Sequence, residues 1–222
     1  MADSLGEGDA AVRLVRDERG LALVGDGMEL RGDFSCMLPR LRQGRLQQEL
    51  LVKAARIKGA EAPTAVDCTA GLGEDSLLLA AAGFAVTLFE RDQTIAALLA
   101  DALERAAADP RLAEAVGRMT LVAGNSITGL ATLPEPPDVV YLDPMFPART
   151  KSAAVKKKFQ LLHHLEQPCE EEEALVAAAL AAQPRKVVIK RPAKGALLAG
   201  MKPSYSVAGK AVRYDVLVPP RP

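Results

Sequence analysis

An acid, a proline and an aromatic residue directly follow an apolar run in VVYLDPMFPARTK, residues 139–151. The apolar run predicts a strand buried on both faces, so Asp143, Pro144 and Phe146 would lie at its carboxyl end. A carboxylate and a backbone carbonyl can accept the two N–H groups of a planar amino group, and an aromatic ring can stack on a nucleobase. Proline fixes φ and so presets the direction of the carbonyl. The alternative is a plain strand-end β-turn with proline at its second position.

A glycine-containing turn follows an earlier apolar stretch in TAVDCTAGLGEDS. Gly71 and Gly73 would let the backbone approach a ligand closely, and the helix predicted after them would offer unpaired N–H groups. A dinucleotide-binding fingerprint would have a third glycine where Ser76 stands. Glu74 and Asp75 would repel a pyrophosphate, so the turn favours a ligand that is cationic or zwitterionic here. A plain turn, with acids interacting favourably with the helix dipole, is the alternative.

Two more predicted strands end in polar residues. Glu90, followed by Arg91, ends AVTLFE, where a carboxylate can accept hydrogen bonds from both hydroxyls of a ribose. Asn125 and Ser126 follow RMTLVAG, where short polar side chains could contact an adenine edge. Taken separately, Glu90 could be a solvated strand-end acid and Ser126 a helix N-cap. The hypothesis of a ligand site therefore depends on the conjunction of these ends with the glycine turn.

A basic run without an acid follows the Asp143-Pro144 pair, and its cations are Arg149, Lys151, Lys156, Lys157 and Lys158. Lys190 and Arg191, at the end of another predicted strand, extend the predicted patch. Such residues neutralise phosphates and give salt-dependent binding of RNA or DNA. A solvated helix face is the general alternative, but the position of the run beside the strand end favours phosphate binding.

Alternating strand and helix periodicities place these strand ends in one sheet. The predicted strands cover residues 64–68, 85–90, 118–124, 138–143 and 185–190, and the predicted helices cover 43–58, 74–83, 93–108, 152–165 and 171–182. The pattern predicts an α/β fold with a mostly parallel sheet, to which two strands within 204–218 add an antiparallel edge. Two or three short strands within 11–35 predict a small N-terminal β segment, so we divide the chain into residues 1–42 and 43–222. Ligands of such sheets bind at the carboxyl ends of the strands, where the candidate residues fall.

The composition is typical of a globular protein, with 49% hydrophobic and 25% charged residues. The 28 basic and 28 acidic residues cancel, so an anionic partner would have to meet a local patch. The three widely spaced cysteines favour reduced thiols in a cytoplasmic protein, and no Cys/His spacing predicts a metal site. The chain shows neither a signal peptide nor an apolar run of roughly 20 residues, which predicts no membrane association.

The motifs DCTAGLGED, LFERD, VVYLDPMFPARTKSAAVKKK and VVIKRP together resemble class I S-adenosylmethionine (SAM)-dependent methyltransferases, and more narrowly the ribosomal RNA small subunit methyltransferase J family. The resemblance extends from about Arg45 to the C terminus, and the YLDP-containing stretch is its most specific part. It implies a Rossmann-like fold and transfer of a methyl group from SAM to the exocyclic N2 of a guanine in 16S rRNA. The implied partner is 16S rRNA or the small ribosomal subunit. The chain departs from the family at Glu74, where a basic residue is usual, and in PRLRQGRLQQ, where the family has a Gly-rich basic run.

The resemblance also implies roles for individual residues. The positions that match the family's cofactor contacts are Glu74, Asp75, Glu90, Arg91, Asn125, Ser126 and Asp143. Of these, Glu90 would hold the ribose and Asp75 the amino-acid end of SAM, while the backbone at Gly71 and Gly73 would line the methionine moiety. Asp143 and the Pro144 carbonyl would receive the N–H groups of the target, with Phe146 stacking on the base.

Other functions remain open from the sequence. The same fold could methylate a DNA base or a protein amide, because both present a similar planar amino group, although the basic run favours a nucleic acid. A protein that binds the cofactor and RNA without turnover is an alternative of another class. An NAD-dependent enzyme is a third, against which the missing third glycine argues.

Overall fold

The computed structural model describes residues 12–25, 27–144 and 171–220, which form two β-sheets with helices packed against them. The strands of this part of the chain are β1 (Arg13–Asp17), β2 (Gly20–Gly25), β3 (Met28–Leu30), β4 (Thr64–Asp67), β5 (Ala85–Glu90), β6 (Met119–Ala123), β7 (Val139–Leu142), β8 (Lys186–Pro192), β9 (Tyr205–Ala208) and β10 (Val212–Leu217). The first three form the small sheet and the other seven form the large one.

The large sheet has the strand order β6-β5-β4-β7-β8-β10-β9. The five strands β6, β5, β4, β7 and β8 pair with one another in parallel. Strand β10 pairs antiparallel with both β8 and β9. Every residue of β7 is buried, with Val139 and Tyr141 in one apolar cluster and Val140 and Leu142 in another. The sheet is therefore covered on both faces, and the predicted parallel sheet with an antiparallel edge is confirmed.

The helices of the described residues are α1 (Leu38–Leu41), α2 (Leu50–Ala55), α3 (Glu74–Ala81), α4 (Gln93–Ala107), α5 (Ala113–Val116), α6 (Ser126–Leu130) and α7 (Glu172–Ala181). Helices α2 to α5 contribute buried residues to the cluster that contains Tyr141, and α6 and α7 contribute buried residues to the opposite one. Helix α4 begins directly after β5 because the Asp92 side chain accepts hydrogen bonds from the N–H groups of Thr94 and Ile95, at 2.8 and 2.9 Å.

The small sheet has the antiparallel order β1-β2-β3, which confirms the predicted short N-terminal strands. It packs on α4 through Leu23 and Leu30, which contact Leu98. Phe34 and Met37 lie within the proposed N-terminal segment but are buried in the main core. The boundary after residue 42 stays a prediction.

The helix predicted for residues 43–58 is wrong in its extent. A short 3-10 turn and α2 replace it, because Glu49 and Arg56 adopt extended ψ angles of 130° and 125°. The Lys186 ammonium, which comes from β8, donates to the Arg56 carbonyl at 2.7 Å just beyond the end of α2 at Ala55. A partner 130 residues away in sequence thus satisfies a backbone group that a longer helix would have bonded internally.

The predicted strands of the large sheet are confirmed, as are the helices predicted for residues 74–83, 93–108 and 171–182, with ends that differ by at most two residues. The short helices α1, α5 and α6 were not predicted. The helix predicted for residues 152–165 lies outside the described residues. Within the described ranges, every helix is too short or too polar to cross a lipid bilayer.

Candidate active site

The strand order reverses at β4, which has β5 and β6 on one side and β7 and β8 on the other. At such a reversal the connections leave the two neighbouring strands in opposite directions, so that a crevice opens outside their carboxyl ends. The segments after β4, β5, β7 and β8 carry most of the predicted site residues. The fold therefore brings together strand ends that are far apart in sequence.

The two glycines of the turn after β4 have different environments. Gly71 has φ of 53°, and an added Cβ would meet no atom within 4 Å, so its backbone borders open space. Gly73 has φ of 77°, and an added Cβ would lie 2.8 Å from Leu99 and 3.2 Å from Phe34. Packing therefore explains Gly73, whereas Gly71 is the position at which a ligand can approach the backbone.

Glu90 lies at the carboxyl end of β5, with its carboxylate turned toward the glycine turn. Its Oε2 accepts a hydrogen bond from the Gly71 N–H and its Oε1 accepts one from the Asp92 N–H, both at 2.9 Å. The residue is 8% exposed, and burial raises the pKa of this carboxyl against the lowering effect of the two N–H groups. A carboxylate can accept about four hydrogen bonds, so both oxygens can also accept from ligand hydroxyls.

Lys190, within β8 and one residue beyond the last pair of β8 with β7, joins two carboxylates from other elements. Its Nζ lies 2.6 Å from Asp75 Oδ2 and 2.9 Å from Asp143 Oδ2, and the Tyr141 hydroxyl donates to the same Asp75 oxygen at 2.6 Å. Burial raises the pKa of the Asp143 carboxyl, Lys190 lowers it, and the nearby Asp75 raises it further. The pKa of Lys190 is raised, since the two carboxylates outweigh its own burial. The sequence placed Asp75 and Asp143 at the site but did not predict this ion-paired cluster.

A second network links Asp143 to the turn after β4. The Asp143 N–H donates to Thr69 Oγ1 at 2.7 Å, and the Thr69 N–H donates to Asp67 Oδ1 at 3.0 Å. Ser76 Oγ donates to the other Asp67 oxygen at 2.6 Å. Asp67 is 1% exposed, and burial raises its pKa to about 7. Sequence reasoning missed Thr69 and Asp67, although their place at the end of an apolar run was a signal of the same kind that identified Glu90.

Other predicted cofactor residues lie around this centre. Glu74 is partly buried in the first turn of α3, and Arg91 is exposed, with its guanidinium 3.9 Å from the Glu171 carboxylate. Asn125 caps α6, since its side chain accepts from the Ile127 N–H at 2.8 Å. The cap is therefore Asn125 rather than Ser126.

Ser126 is the first residue of α6 and is 7% exposed. Burial raises the pKa of the nearby Cys68 thiol well above its usual range, and Ser126 acts in the opposite direction. Whether Ser126 also contacts a cofactor stays a prediction.

The predicted basic patch falls largely outside the described residues, as do Phe146 and the cations Arg149, Lys151, Lys156, Lys157 and Lys158. Lys190 is described, but its ammonium points at two carboxylates. Arg191 is 2% exposed, and its Nε donates to the Ala196 carbonyl at 2.8 Å. The contact of Arg191 with phosphate stays a prediction.

These residues fit a nucleoside cofactor whose amino-acid end is zwitterionic. Glu90 supplies a pair of acceptors suited to ribose hydroxyls, and Gly71 leaves room for close approach. The Asp75 carboxylate can pair with the ammonium group of such a ligand. Asp75 lies in the first turn of α3, where the N-terminal N–H groups of the helix suit the carboxylate of the ligand. Each of these three groups comes from a segment at the reversal of the strand order.

Comparison with known proteins identifies the family. Residues 8–219 match the family model described as "Putative SAM-dependent methyltransferase". A ribosomal RNA small subunit methyltransferase J from Thioalkalivibrio sulfidiphilus is 46% identical over 213 residues, which cover 92% of this chain and 84% of that protein. The protein of the same name from Neisseria meningitidis serogroup C is 40% identical and covers 91% of this chain and 82% of its own length.

Solved structures agree with the sequence comparison. The crystal structure of a SAM-dependent methyltransferase from Neisseria gonorrhoeae matches with a TM-score of 0.78 at 32% identity, covering 96% of this chain and 85% of that chain. An rRNA methyltransferase from Streptomyces viridochromogenes matches with a TM-score of 0.51 at 17% identity, over 78% of this chain and 84% of that chain, which shows the shared fold alone. The fold and the extent of identity together place the chain in the ribosomal RNA small subunit methyltransferase J family of SAM-dependent methyltransferases.

Proposed function

We propose that this protein transfers a methyl group from SAM to the exocyclic N2 of a guanine in 16S rRNA, in the cytoplasm. The observation that carries the proposal is the fixed position of Asp143, which together with Pro144 is hereafter called the clamp. The Asp143 N–H is held by Thr69 at 2.7 Å and its carboxylate by Lys190 at 2.9 Å, at the same sheet edge as Glu90. The names of the relatives, which specify ribosomal RNA of the small subunit, support the substrate class.

The chain's own residues would bind and orient the cofactor. Glu90 would accept hydrogen bonds from the ribose hydroxyls, Asp75 would pair with the ammonium group, and the backbone at Gly71 would pass close to the methionine moiety. When bound, SAM supplies an electrophilic methyl group on a sulfonium centre. Direct transfer of this methyl group requires that the reacting groups be held in a fixed orientation. It requires no covalent intermediate with the enzyme.

The clamp would prepare the guanine amino group for attack. The lone pair of this nitrogen is delocalised into the ring, so the amino group is a poor nucleophile. An Asp143 carboxylate and the Pro144 carbonyl that accept its N–H groups would increase the electron density on nitrogen. Burial raises the pKa of Asp143, which makes its carboxylate a better acceptor for the proton that the nitrogen releases. Phe146 is proposed to stack on the base.

The experiment is transfer of labelled methyl from SAM to 16S rRNA and to small ribosomal subunits that lack the modification, followed by nucleoside mass analysis. We expect N2-methylguanosine from the wild-type protein and none from Asp143→Ala. Loss of the label after RNase treatment would identify RNA as the acceptor. Tight SAM binding without label in RNA would overturn the proposal and leave the DNA base or the protein amide as the substrate to test.

A further inference from the structure

Lys190 lies within β8, one residue beyond the last pair of β8 with β7, in an unusual place for a basic residue. Its ammonium lies between the Asp75 carboxylate at 2.6 Å and the Asp143 carboxylate at 2.9 Å. Its side chain is 27% exposed, and those of Asp75 and Asp143 are 17% and 36% exposed. Water therefore screens these charges only in part, and the ion pairs are stronger than pairs on an open surface.

The two carboxylates belong to different parts of the proposed reaction. Asp75, on α3, is placed to hold the cofactor, and Asp143, after β7, is placed to hold the target amino group. Without an intervening cation, two negative charges would face each other in a partly buried crevice, and one of them would tend to take up a proton. A protonated Asp143 carboxyl would lose part of its capacity to accept N–H groups.

We propose that Lys190 is a positioning residue that keeps Asp143 ionised and fixes its carboxylate relative to Asp75, and thereby sets the lower pH limit of methyl transfer. The inference rests on the proposed function in one respect, namely that Asp143 accepts the target N–H groups. Its electrostatic part concerns the protein alone. The role differs from the phosphate contact that the sequence suggested for Lys190.

Other charged or titratable groups also act on this site and must be considered in any pH dependence. Those that face Asp143 or its immediate partners are Arg40, Asp67, Asp75, Tyr141, Lys190, Arg191 and Tyr214. Among the influences on Asp143, Lys190 has the largest lowering effect on the pKa, and Asp75 has the opposite effect. Removing Lys190 would therefore leave the effect of burial and the repulsion from Asp75 largely unopposed.

The test is titration of the Asp143 carboxyl by carbon-13 NMR in the protein without SAM or RNA, with Asp143→Asn used to assign the resonance. An opposite charge within about 4–6 Å lowers the pKa of an acid by roughly one to three units. Since the Asp143 side chain is 36% exposed, we expect the low end, a rise of about one unit in Lys190→Met. Lys190→Arg retains the charge and should keep the titration close to that of the wild type. Lys194→Met, which removes an exposed lysine four residues away, is the matched control and should not shift it.

Activity gives the second readout. The acidic limb of the profile of kcat/KM against pH should move to higher pH in Lys190→Met, and the loss relative to wild type should reach about tenfold at pH values below the wild-type limb. If Lys190→Met does not fold, Lys190→Gln removes the charge with less change in polarity and is titrated in the same way. An unchanged Asp143 titration in a folded, uncharged variant would overturn the inference.

The outcomes separate this inference from the proposed function. If Lys190 instead contacts phosphate, Lys190→Met should reduce the slope of log K for RNA binding against log salt concentration by about one and leave the Asp143 titration unmoved. That result would also overturn the inference. Failure of the wild-type protein to methylate 16S rRNA would overturn the proposed function. It would leave the NMR result for Lys190 and Asp143 unaffected, because that titration requires no substrate.

Discussion

Replacing Glu90 by Gln turns an acceptor-only side chain into one that also donates, at nearly unchanged volume. In the wild-type structure both carboxylate oxygens accept from backbone N–H groups, those of Gly71 and Asp92, at 2.9 Å each. A Gln amide accepts through its oxygen only. One of the two backbone donors must therefore face an NH2 group, and the ribose hydroxyls that we propose to bind at Glu90 would lose a charged acceptor.

The magnitude follows from the burial of this group. Glu90 is 8% exposed, so water replaces the missing acceptor poorly. Hydrogen bonds to a charged group contribute about 1.5–3 kcal/mol, and an unsatisfied buried donor costs about 1–3 kcal/mol. We expect SAM binding to weaken by a factor of roughly 10–100, which corresponds to about 1.4–2.8 kcal/mol. The free energy of unfolding should fall by about 1–3 kcal/mol.

Isothermal titration with SAM or S-adenosylhomocysteine measures the first effect, and urea denaturation measures the second. The matched control is Glu114→Gln, which changes a side chain that is 86% exposed and paired with Arg118 on the surface. This control should bind SAM like the wild type. SAM affinity within twofold of wild type in a folded Glu90→Gln protein would refute the role of Glu90 in holding the ribose.

We also expect cofactor binding to depend on pH through the ionisation of Glu90. Burial raises the folded-state pKa of Glu90 above its ordinary value, and the ionised form is the better acceptor for hydroxyls. SAM affinity should therefore be complete above the raised pKa and should decrease as the pH falls through it. Glu90→Gln should lose this part of the pH dependence, which titrations at several pH values would show.

Three further substitutions test the network around the clamp and the packing beneath it. Thr69→Val removes the hydroxyl that accepts the clamp N–H at 2.7 Å, and kcat should fall roughly tenfold or more, since an unsatisfied donor costs about 1–3 kcal/mol; Thr69→Ser should restore activity. Gly129→Ala would push a Cβ into the buried ring of Phe89, so we expect about 1–3 kcal/mol of destabilisation in thermal unfolding, whereas Gly124→Ala, which meets no neighbour, should change stability by less than about 0.5 kcal/mol. Asp67 has a folded-state pKa of about 7, raised from 3.8, so the folded protein holds a proton that the unfolded chain has released and wild-type stability decreases as pH rises through this window. Asp67→Asn removes that term, and its stability relative to wild type should improve by about 2 kcal/mol between pH 5 and pH 7 in urea denaturation; no change in this difference would contradict the assignment.

The sheet could be predicted because each strand carries its own signal. Strand β7 is buried on both faces, so its sequence VVYL is a continuous apolar run that ends where the polar residue begins. Strand β5 is mostly buried, and its sequence AVTLF is largely apolar up to Glu90. This placed Glu90 and Asp143 at strand ends without knowledge of the neighbouring strands. The confirmed positions of these elements are consequences of local composition alone.

Pairings between distant residues could not be predicted in this way. Lys190 was interpreted as a surface cation, because a lysine at a strand end gives no sign of its neighbour. In the sheet, Leu142 of β7 pairs with Ile189 of β8, and this register sets Asp143 beside Lys190. The helix predicted over residues 43–58 failed for a similar reason, since Lys186 of β8 binds the Arg56 carbonyl. Both errors come from contacts that depend on which strands become neighbours.

The reversal of the strand order at β4 divides the site into two parts. Glu90 and Gly71 lie on the side proposed for SAM, and the clamp lies on the side proposed for the target base. Lys190 crosses this boundary, because it binds a carboxylate from each part. Glu90→Gln should therefore weaken SAM binding and leave RNA affinity unchanged, whereas loss of the Lys190 charge should disturb both the binding of SAM and the capacity of the clamp to accept the guanine N–H groups. Separate titrations with SAM and with RNA would distinguish the two patterns, and equal effects of both substitutions on both ligands would contradict the division.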